Sequence, residues 1–228
     1  MRAAAVAGDF DVDEVLRGVR EQPQMEGRAL VADVSTPEPY VYADAGAVRV
    51  AVVDYGVKRS ILARLAAAGA AVTVYPHDVD ADELAGHDGV LLANGPGDPE
   101  PLADEVAVVR ELLGRVPVLG ICLGHQLLAQ AAGMKTYKLP FGHRGANHPV
   151  LERATGRVLV TTQNHGFAVE ASEEREATHV SLYDGTVEGL EFPEERARSA
   201  QFHPEASPGP HDAGVLLAGF VEELKAVA

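Results

Sequence analysis

The sequence predicts an α/β fold with a mostly parallel central sheet, helices on both faces of that sheet and a small antiparallel extension. The first observation is that strand-like and helix-like segments alternate from about residue 48 to residue 133. The second is that the strand-like runs are apolar at nearly every position, as expected of parallel strands covered on both faces. The third is that the pattern shortens from about residue 136, which is typical of antiparallel hairpins near one sheet edge.

Gly and Pro residues delimit the predicted elements, because both interrupt helices and strands. Strands are predicted at "VRVAVVDYG" (48–56), "AVTVYP" (71–76), "DGVLLANGPGDP" (88–99) and "VPVLGI" (116–121). Helices are predicted at "KRSILARLAAAGA" (58–70), "PLADEVAVVRELLG" (101–114), "HQLLAQAAG" (125–133) and "HDAGVLLAGFVEELKAVA" (211–228). The hairpin segments are "RVLVTTQNHGFAVE" (157–170), "THVSLYDG" (178–185) and "TVEGLEF" (186–192).

The first 45 residues do not share this alternation. They contain one short predicted helix, "DVDEVLRGVREQ", followed by the Pro-bearing "STPEPY". We therefore expect residues 1–45 to be an appended piece and residues 46–228 to form the main domain.

Composition and charge exclude several classes of function. The formal net charge is −15, so a nucleic-acid partner is not expected. One cysteine in 228 residues rules out an internal disulfide framework or a multi-cysteine metal site and fits a reducing compartment. We see neither a signal peptide nor an uncharged run of the roughly 20 apolar residues that a membrane helix needs. We expect a cytoplasmic protein that does not bind membranes.

That one cysteine lies in "GICLG", which has the spacing of the G-x-S-x-G nucleophile elbow with sulfur in place of oxygen. A strand there turns sharply into a helix, and Gly120 and Gly124 remove side chains that would clash. The helix N-terminus favours a thiolate at Cys122. The alternative is that Cys122 is a small core hydrophobe. The flanking glycines favour the nucleophile.

A cysteine nucleophile needs a base, and the base needs an orienting group. In "QFHPEASPGP", His203 and Glu205 lie two residues apart in an extended segment and so face the same way. Glu205 can hold one imidazole nitrogen while the other faces Cys122. The alternative for this segment is a Pro-rich surface turn. His125 is nearer in sequence, but the elbow helix is expected to direct it away from the sulfur.

Two further segments carry candidate site residues. Asn94-Gly95-Pro96-Gly97 ends a strand and can offer backbone N–H groups to an oxyanion, although a plain tight turn also fits. His143, His148 and His165 raise the question of a metal ion. No carboxylate or cysteine stands at ligand spacing from them, so we expect no metal site.

Together these segments resemble the class I glutamine amidotransferases and, more narrowly, the small subunits of glutamine-hydrolysing carbamoyl-phosphate synthetases. The shared motifs cover nearly the whole chain in the same order. They are "DYGVKRSIL", "NGPGDP", "GICLGHQLLA", "KLPFGHRGANHPV", "QNHGFAV", "SLYDGTVEG" and "HPEASPGPHDA". "GICLGHQ" indicates the amidotransferase class, whereas "QNHGFAV" and "HPEASPGPHDA" single out the carbamoyl-phosphate branch.

The resemblance implies roles for individual residues. Cys122 would be the nucleophile, His203 the acid–base and Glu205 the group that orients it. The backbone amides of Gly97 and Leu123 would form the oxyanion hole. The residues implied to contact glutamine are Gly95, Leu123, Gln126, Asn164, Gly166 and Phe167. Ammonia from glutamine would pass through a channel to a separate large subunit, which would use ATP and Mg²⁺ to make carbamoyl phosphate for arginine and pyrimidine synthesis. No cofactor is expected in this chain.

The chain also departs from the family. The family's small subunit has an N-terminal domain, and residues 1–45 resemble only its last portion and linker, so we expect most of that domain to be missing from this chain. Three alternatives remain open: an amidotransferase of the anthranilate or guanylate type, a non-catalytic interaction or regulatory module, and a cysteine peptidase built on a similar elbow. "HPEASPGPHD" argues against the first, and the occupied triad positions argue against the second.

Overall fold

One ten-stranded mixed sheet organises the protein. The computed structural model describes residues 3–227. The strands are β1 (Tyr40–Ala43), β2 (Val48–Val53), β3 (Ala70–Tyr75), β4 (Gly89–Leu92), β5 (Val118–Ile121), β6 (Thr136–Glu152), β7 (Arg157–Val169), β8 (His179–Ser181), β9 (Val187–Phe192) and β10 (Ala197–Ala200). Their order across the sheet is β1-β3-β2-β4-β5-β10-β9-β8-β6-β7.

Six α-helices accompany the sheet within residues 3–227. They are α1 (Val12–Glu21), α2 (Arg59–Ala67), α3 (Ala81–Leu84), α4 (Ala103–Leu112), α5 (Leu123–Ala131) and α6 (Val215–Val227), with a short 3-10 helix at Val31–Asp33. Buried side chains of α3, α4 and α5 belong to one apolar cluster, and those of α2 and α6 belong to a second. The predicted α/β class with covered parallel strands is therefore confirmed.

The parallel part of the sheet consists of β3, β2, β4, β5 and β10. The central strands β4 and β5 are buried at every position, which explains their continuous apolar sequence. β10 was not among the predicted strands, because "ARSA" is short and half polar. It pairs in parallel with β5, from Ala197 opposite Val118 to Ala200 opposite Ile121. The carboxyl ends of β5 and β10 therefore lie side by side.

The antiparallel extension is built from β9, β8, β6 and β7. Its largest unit is the hairpin of β6 and β7, which are 17 and 13 residues long. The pairing of His143 with His165 and of Lys138 with Phe167 places the "QNHGF" segment of β7 in the middle of this hairpin. The hairpin thereby extends past the carboxyl ends of the parallel strands.

The first 45 residues are not uniform in the structure. Helix α1 has no buried residue; it begins at Asp11, whose carboxylate accepts hydrogen bonds from the backbone of Asp13 and Glu14. Val31 is buried in the core, and β1 pairs with β3 at an edge of the sheet. The division at residue 45 stays a prediction.

Within the described residues, the helices are too short or too polar to cross a lipid bilayer.

Candidate active site

A sharp turn between β5 and α5 presents Cys122. Its backbone has φ +55° and ψ −101°, which a residue with a side chain rarely adopts, and it caps the N-terminus of α5. Cys122 is only 5% exposed and lines a cleft. Its N–H donates to the Ala200 carbonyl at 2.8 Å, which fixes the elbow against β10.

The two glycines of the elbow lie where no side chain fits. A Cβ at Gly120 would stand 2.5 Å from the Gly124 carbonyl oxygen, and one at Gly124 would stand 2.2 Å from the Leu92 carbonyl oxygen. Both contacts are with backbone, which cannot rotate away. The strand and helix can therefore approach closely only because both positions are glycine, as expected of an elbow.

His203 and Glu205 follow β10 and reach the same place. His203 Nδ1 donates to Glu205 Oε1 at 2.7 Å. Because a carboxylate only accepts, this bond places a proton on Nδ1 and leaves Nε2 to exchange a proton with Cys122. Both side chains are buried, and Glu205 is fully so.

The charges of this group are coupled. Burial lowers the pKa of His203, but the charge of Cys122 and hydrogen bonds with Cys122 and Glu205 outweigh burial and raise the pKa to about 10. Burial likewise raises the pKa of Glu205, and hydrogen bonds from His203 and Lys58 reverse that effect and lower it. The raised pKa of His203 favours its imidazolium form, which Glu205 and Cys122 contact from two sides.

We expect Cys122→Ser to lower the pKa of His203 well below 10, because serine removes the negative charge that opposes burial. NMR titration of the imidazole resonances measures this pKa. His179 is the internal control, since its pKa is lowered mainly by burial elsewhere in the protein and should not change. An unchanged His203 pKa in the variant would show that Cys122 does not interact with it.

The cleft next to Cys122 collects most of the other predicted residues. Its volume is about 970 Å³. The predicted site residues that line it are Gly95, Gly97, Cys122, Gln126, Asn164, Gly166, Phe167 and His203. Leu123 follows Cys122 as the first residue of α5, and Glu205 lies behind His203. The structure thus brings all ten predicted residues to one place.

The buried amide of Gln126 lies one helical turn beyond Cys122. Its Nε2 donates to the Phe167 carbonyl and to Gln201 Oε1, both at 3.0 Å. The Phe167 carbonyl also accepts from His165 Nδ1 at 2.7 Å. Helix α5 and strand β7 are thereby fixed to each other on either side of the cleft.

The loop after β4 requires its glycines. A Cβ at Gly95 would lie 2.2 Å from the Tyr55 carbonyl oxygen, and Gly97 has φ +101° with the Arg28 carbonyl oxygen 2.6 Å from the place of a Cβ. The N-terminal segment holds this loop from outside. Asp98 N donates to the Arg28 carbonyl at 3.0 Å, and Asp98 Oδ2 accepts from Gly27 N at 2.8 Å.

Three parts of the site were not predicted from the sequence. Lys58 Nζ lies 2.8 Å from Glu205 Oε1 and donates to the Ala206 carbonyl at 2.6 Å. Lys138 and Arg144 of β6 line the cleft, as does the N-terminal stretch around Met25. "DYGVK" was the available signal for Lys58 and "KLPFGHR" was the available signal for Lys138 and Arg144; no motif marked the stretch around Met25.

His125 does not face the cleft. It is fully buried, and its Nδ1 lies 2.8 Å from Ser199 Oγ in β10. Burial lowers its pKa to about 3. The helix directs this side chain into the core, so His203 is the imidazole that meets the sulfur.

Comparison with known proteins agrees with this geometry. The sequence model of the class I glutamine amidotransferase family matches residues 51–223. The carbamoyl phosphate synthase small chain of Syntrophotalea carbinolica is 47% identical over 94% of this chain and 62% of its own length. The small chain of Thermotoga maritima is 42% identical over 100% of this chain and 67% of its own length.

The chain is shorter than these relatives. It spans 62% of the Syntrophotalea protein and 60% of the pyrimidine-specific small chain of Halalkalibacterium halodurans, to which it is 46% identical. Among solved structures, a putative GMP synthase subunit of Thermoplasma acidophilum superposes with a TM-score of 0.66 at 22% identity, covering 79% of this chain and 96% of that one. This likeness concerns the fold alone. On the family match and the identities to the small chains, the chain belongs to the class I glutamine amidotransferases and, within them, to the carbamoyl phosphate synthase small-chain family.

Proposed function

We propose that this chain is the glutamine-hydrolysing part of a carbamoyl phosphate synthase and that Cys122, His203 and Glu205 release ammonia from L-glutamine. One observation carries the proposal: a buried carboxylate–imidazole pair meets a cysteine held at φ +55° on a strand-to-helix elbow, at the edge of a cleft. Strain of this kind, at a residue with a nucleophilic side chain, is characteristic of functional sites.

In the first step, the Cys122 sulfur attacks the side-chain carboxamide carbon of glutamine. The carbonyl oxygen becomes an oxyanion, which the backbone N–H groups of Gly97 and Leu123 stabilise. The His203 imidazolium gives its Nε2 proton to the departing ammonia. The products of this step are a γ-glutamyl thioester on Cys122 and free ammonia.

In the second step, neutral His203 takes a proton from water as that water attacks the thioester carbon. The thioester breaks, glutamate leaves and the resting pair is restored. Glu205 keeps the proton of His203 on Nδ1 throughout, so that Nε2 is the nitrogen that exchanges protons. A positioned acid–base group of this kind contributes about 10²–10⁴ in rate.

Glutamine would lie along the walls that α5 and β7 form. Gly95, Asn164, Gly166 and Phe167 line the cleft beside Cys122, and Gln126 connects the two walls. The glycines leave backbone groups accessible, which suits a substrate with its own amide and zwitterionic end.

The partner in this proposal is a carbamoyl phosphate synthase large subunit. The similarity of this chain to carbamoyl phosphate synthase small chains supports that assignment. The large subunit would bind ATP and Mg²⁺ and would consume the ammonia in making carbamoyl phosphate for arginine and pyrimidine synthesis. This chain would contribute no cofactor to that reaction.

Mixing the purified chain with such a large subunit tests the proposal. We expect the two to co-elute in gel filtration and to make carbamoyl phosphate from glutamine, bicarbonate and ATP. Free ammonia in place of glutamine is the control, because it bypasses this chain. Glutamine-dependent synthesis no higher than that of the large subunit by itself would contradict the assignment.

Lys58 is a positioning residue, because its ammonium contacts Glu205 and not the cleft's reacting atoms. Its side chain is 32% exposed, whereas Glu205 is fully buried. We expect Lys58→Met to lower kcat for glutamine hydrolysis roughly tenfold with little change in KM, since a hydrogen bond to a charged group contributes about 1.5–3 kcal/mol. Lys58→Arg should recover part of the rate. Steady-state kinetics measure both.

Lys225→Met provides a matched control for Lys58→Met. Lys225, on helix α6, likewise donates to a backbone carbonyl, that of Ala68, and to a carboxylate, that of Glu222. Its loss should leave kcat unchanged. Equal kinetic effects of the two substitutions would mean that Lys58 acts only through general stability.

A further inference from the structure

We propose that a buried cluster of His143, His165 and Glu188, behind the cleft, binds one divalent transition-metal ion of the zinc class. The three residues come from three strands, β6, β7 and β9. The candidate ligand atoms, His143 Nδ1, His165 Nε2 and Glu188 Oε1, lie within 4.8 Å of one another. From the sequence we expected no metal, because no carboxylate lies near these histidines in the chain; β9 supplies one in the fold.

The three candidate ligand atoms are buried and lack hydrogen-bond partners among the described residues. The side chains of His143, His165 and Glu188 are 8%, 2% and 0% exposed. Glu188 Oε1 lies 3.4 Å from His143 Nδ1 and 3.9 Å from His165 Nε2. A buried polar atom without a partner is costly, and here three such atoms face a common centre.

The outer atoms of the same side chains are all held. His143 Nε2 donates to Asp184 Oδ2 at 2.8 Å, and His165 Nδ1 donates to the Phe167 carbonyl at 2.7 Å. Glu188 Oε2 accepts from Gln163 Nε2 at 2.7 Å. Carboxylates and carbonyls only accept, so the outer ring nitrogens carry the hydrogens and the inner nitrogens of the neutral rings carry lone pairs. Metal-binding histidines have this arrangement, with the second nitrogen bound to a carboxylate or carbonyl.

Electrostatics also favour a cation. The Glu188 carboxylate is fully buried and its Oε1 lies 3.4 Å from His143 Nδ1, while the Asp184 carboxylate lies 2.8 Å from His143 Nε2 on the other side of the ring. A buried charge without a counter-charge is costly, and a divalent ion among the three ligand atoms would balance both carboxylates.

The ligand set selects the class of metal. Two imidazoles and one carboxylate suit zinc and similar ions, whereas Mg²⁺ and Ca²⁺ prefer oxygen ligands. Tetrahedral ligation at about 2.0–2.2 Å separates the ligand atoms by about 3.4 Å, a distance that Glu188 Oε1 and His143 Nδ1 already have, so chiefly His165 Nε2 would have to approach. A water molecule would take the fourth tetrahedral position. The ion would join β6, β7 and β9. It would thereby fix the hairpin that carries Gly166 and Phe167 at the cleft.

Zinc titration of the untagged, chelator-treated chain tests this site. The Cys122→Ser variant is used throughout, because Cys122 and His203 are themselves a potential zinc-binding pair. We expect isothermal titration calorimetry to give one Zn²⁺ per chain, Co²⁺ to give the visible bands of a tetrahedral complex, and Mg²⁺ to give no signal. Glu188→Gln added to this variant should abolish the stoichiometric binding. Failure of the parent variant to bind Zn²⁺ would overturn the proposal.

Two further variants separate ligation from folding. Glu152→Gln is the matched control. Glu152 Oε1 also lies 3.9 Å from a histidine nitrogen, His179 Nε2, but this pair lacks a second imidazole. Zinc binding should therefore be unchanged. Asp184 contacts His143 at its outer nitrogen, Nε2, and otherwise accepts from Thr186, so Asp184→Asn leaves the ligand atoms in place and should weaken zinc affinity about 10–100-fold. If circular dichroism shows Glu188→Gln unfolded, Asp184→Asn decides. Unweakened affinity in a folded Asp184→Asn or Glu188→Gln variant would overturn the site.

Discussion

Replacing Cys122 by serine should reduce the rate of glutamine hydrolysis by at least about 10⁴-fold, since loss of the nucleophile from a catalytic triad removes nearly all of its contribution. Serine keeps the shape of the elbow but is a far weaker nucleophile beside an imidazole tuned to a thiolate. Far-UV circular dichroism and the unfolding midpoint should be unchanged. Ammonia release from glutamine, followed with a coupled glutamate assay, measures the loss.

A chemical experiment gives an independent control for this substitution. Cys122 is the only cysteine of the 228 residues, so iodoacetamide can add one carbamidomethyl group to a thiol of the wild type and none to a thiol of the variant. We expect this alkylation to abolish ammonia release and glutamine to slow it. Equal ammonia release by wild type and Cys122→Ser, or full activity of the alkylated protein, would remove Cys122 from the mechanism.

The parts of the fold that could be predicted are those whose signals are local. β4 and β5 are buried at every position, and that burial requires the unbroken apolar runs seen in the sequence. The elbow could be predicted for a similar reason, because α5 approaches β5 closely at Gly120 and β4 closely at Gly124, and both positions therefore demand glycine. His203 and Glu205 were predicted as a pair from alternation in an extended segment, but the structure holds them in a turn, in which Ala206 N donates to the His203 carbonyl at 3.2 Å. The pairing was therefore right and the predicted local conformation was wrong.

The parts that could not be predicted depend on pairing between distant segments. The sequence of β10 is too short and too polar to predict a strand. It forms one because β5 and β9 supply its hydrogen-bond partners. Lys58 contacts Glu205 from a distant part of the chain, and no spacing rule connects the two. Glu188 is likewise brought to His143 only by the order of strands in the sheet.

The strained backbone of Cys122 links stability to function. A residue outside its preferred φ,ψ region costs about 1–3 kcal/mol and persists only where its surroundings over-determine it. Here the surroundings are backbone contacts. Cys122 N donates to the Ala200 carbonyl, and Gly124 N donates to the Ala93 carbonyl at 3.0 Å. Both flank the sulfur, so changes in the packing of the elbow should affect folding and catalysis together.

Gly124→Ala should therefore destabilise the protein by about 3 kcal/mol, the upper part of the usual range for overpacking, and lower Tm by roughly 6–12 °C. The new Cβ would lie 2.2 Å from the Leu92 carbonyl oxygen and 2.6 Å from its carbon, so α5 has to move away from β4. That movement also displaces the N–H of Leu123 from the position that we propose for stabilising the oxyanion. Thermal unfolding and glutamine hydrolysis, measured on the same preparation, should both decline.

Gly18→Ala separates this effect from any general consequence of replacing glycine by alanine. Gly18 lies in α1, and its Cβ would meet nothing within 4 Å. Alanine favours a helix by about 1 kcal/mol over glycine, but α1 buries no residue against the sheet, so the gain should hardly change global unfolding. Tm and hydrolysis should stay at wild-type values. If Gly124→Ala behaves in the same way as Gly18→Ala, the close approach of α5 to β4 does not hold Cys122 in place.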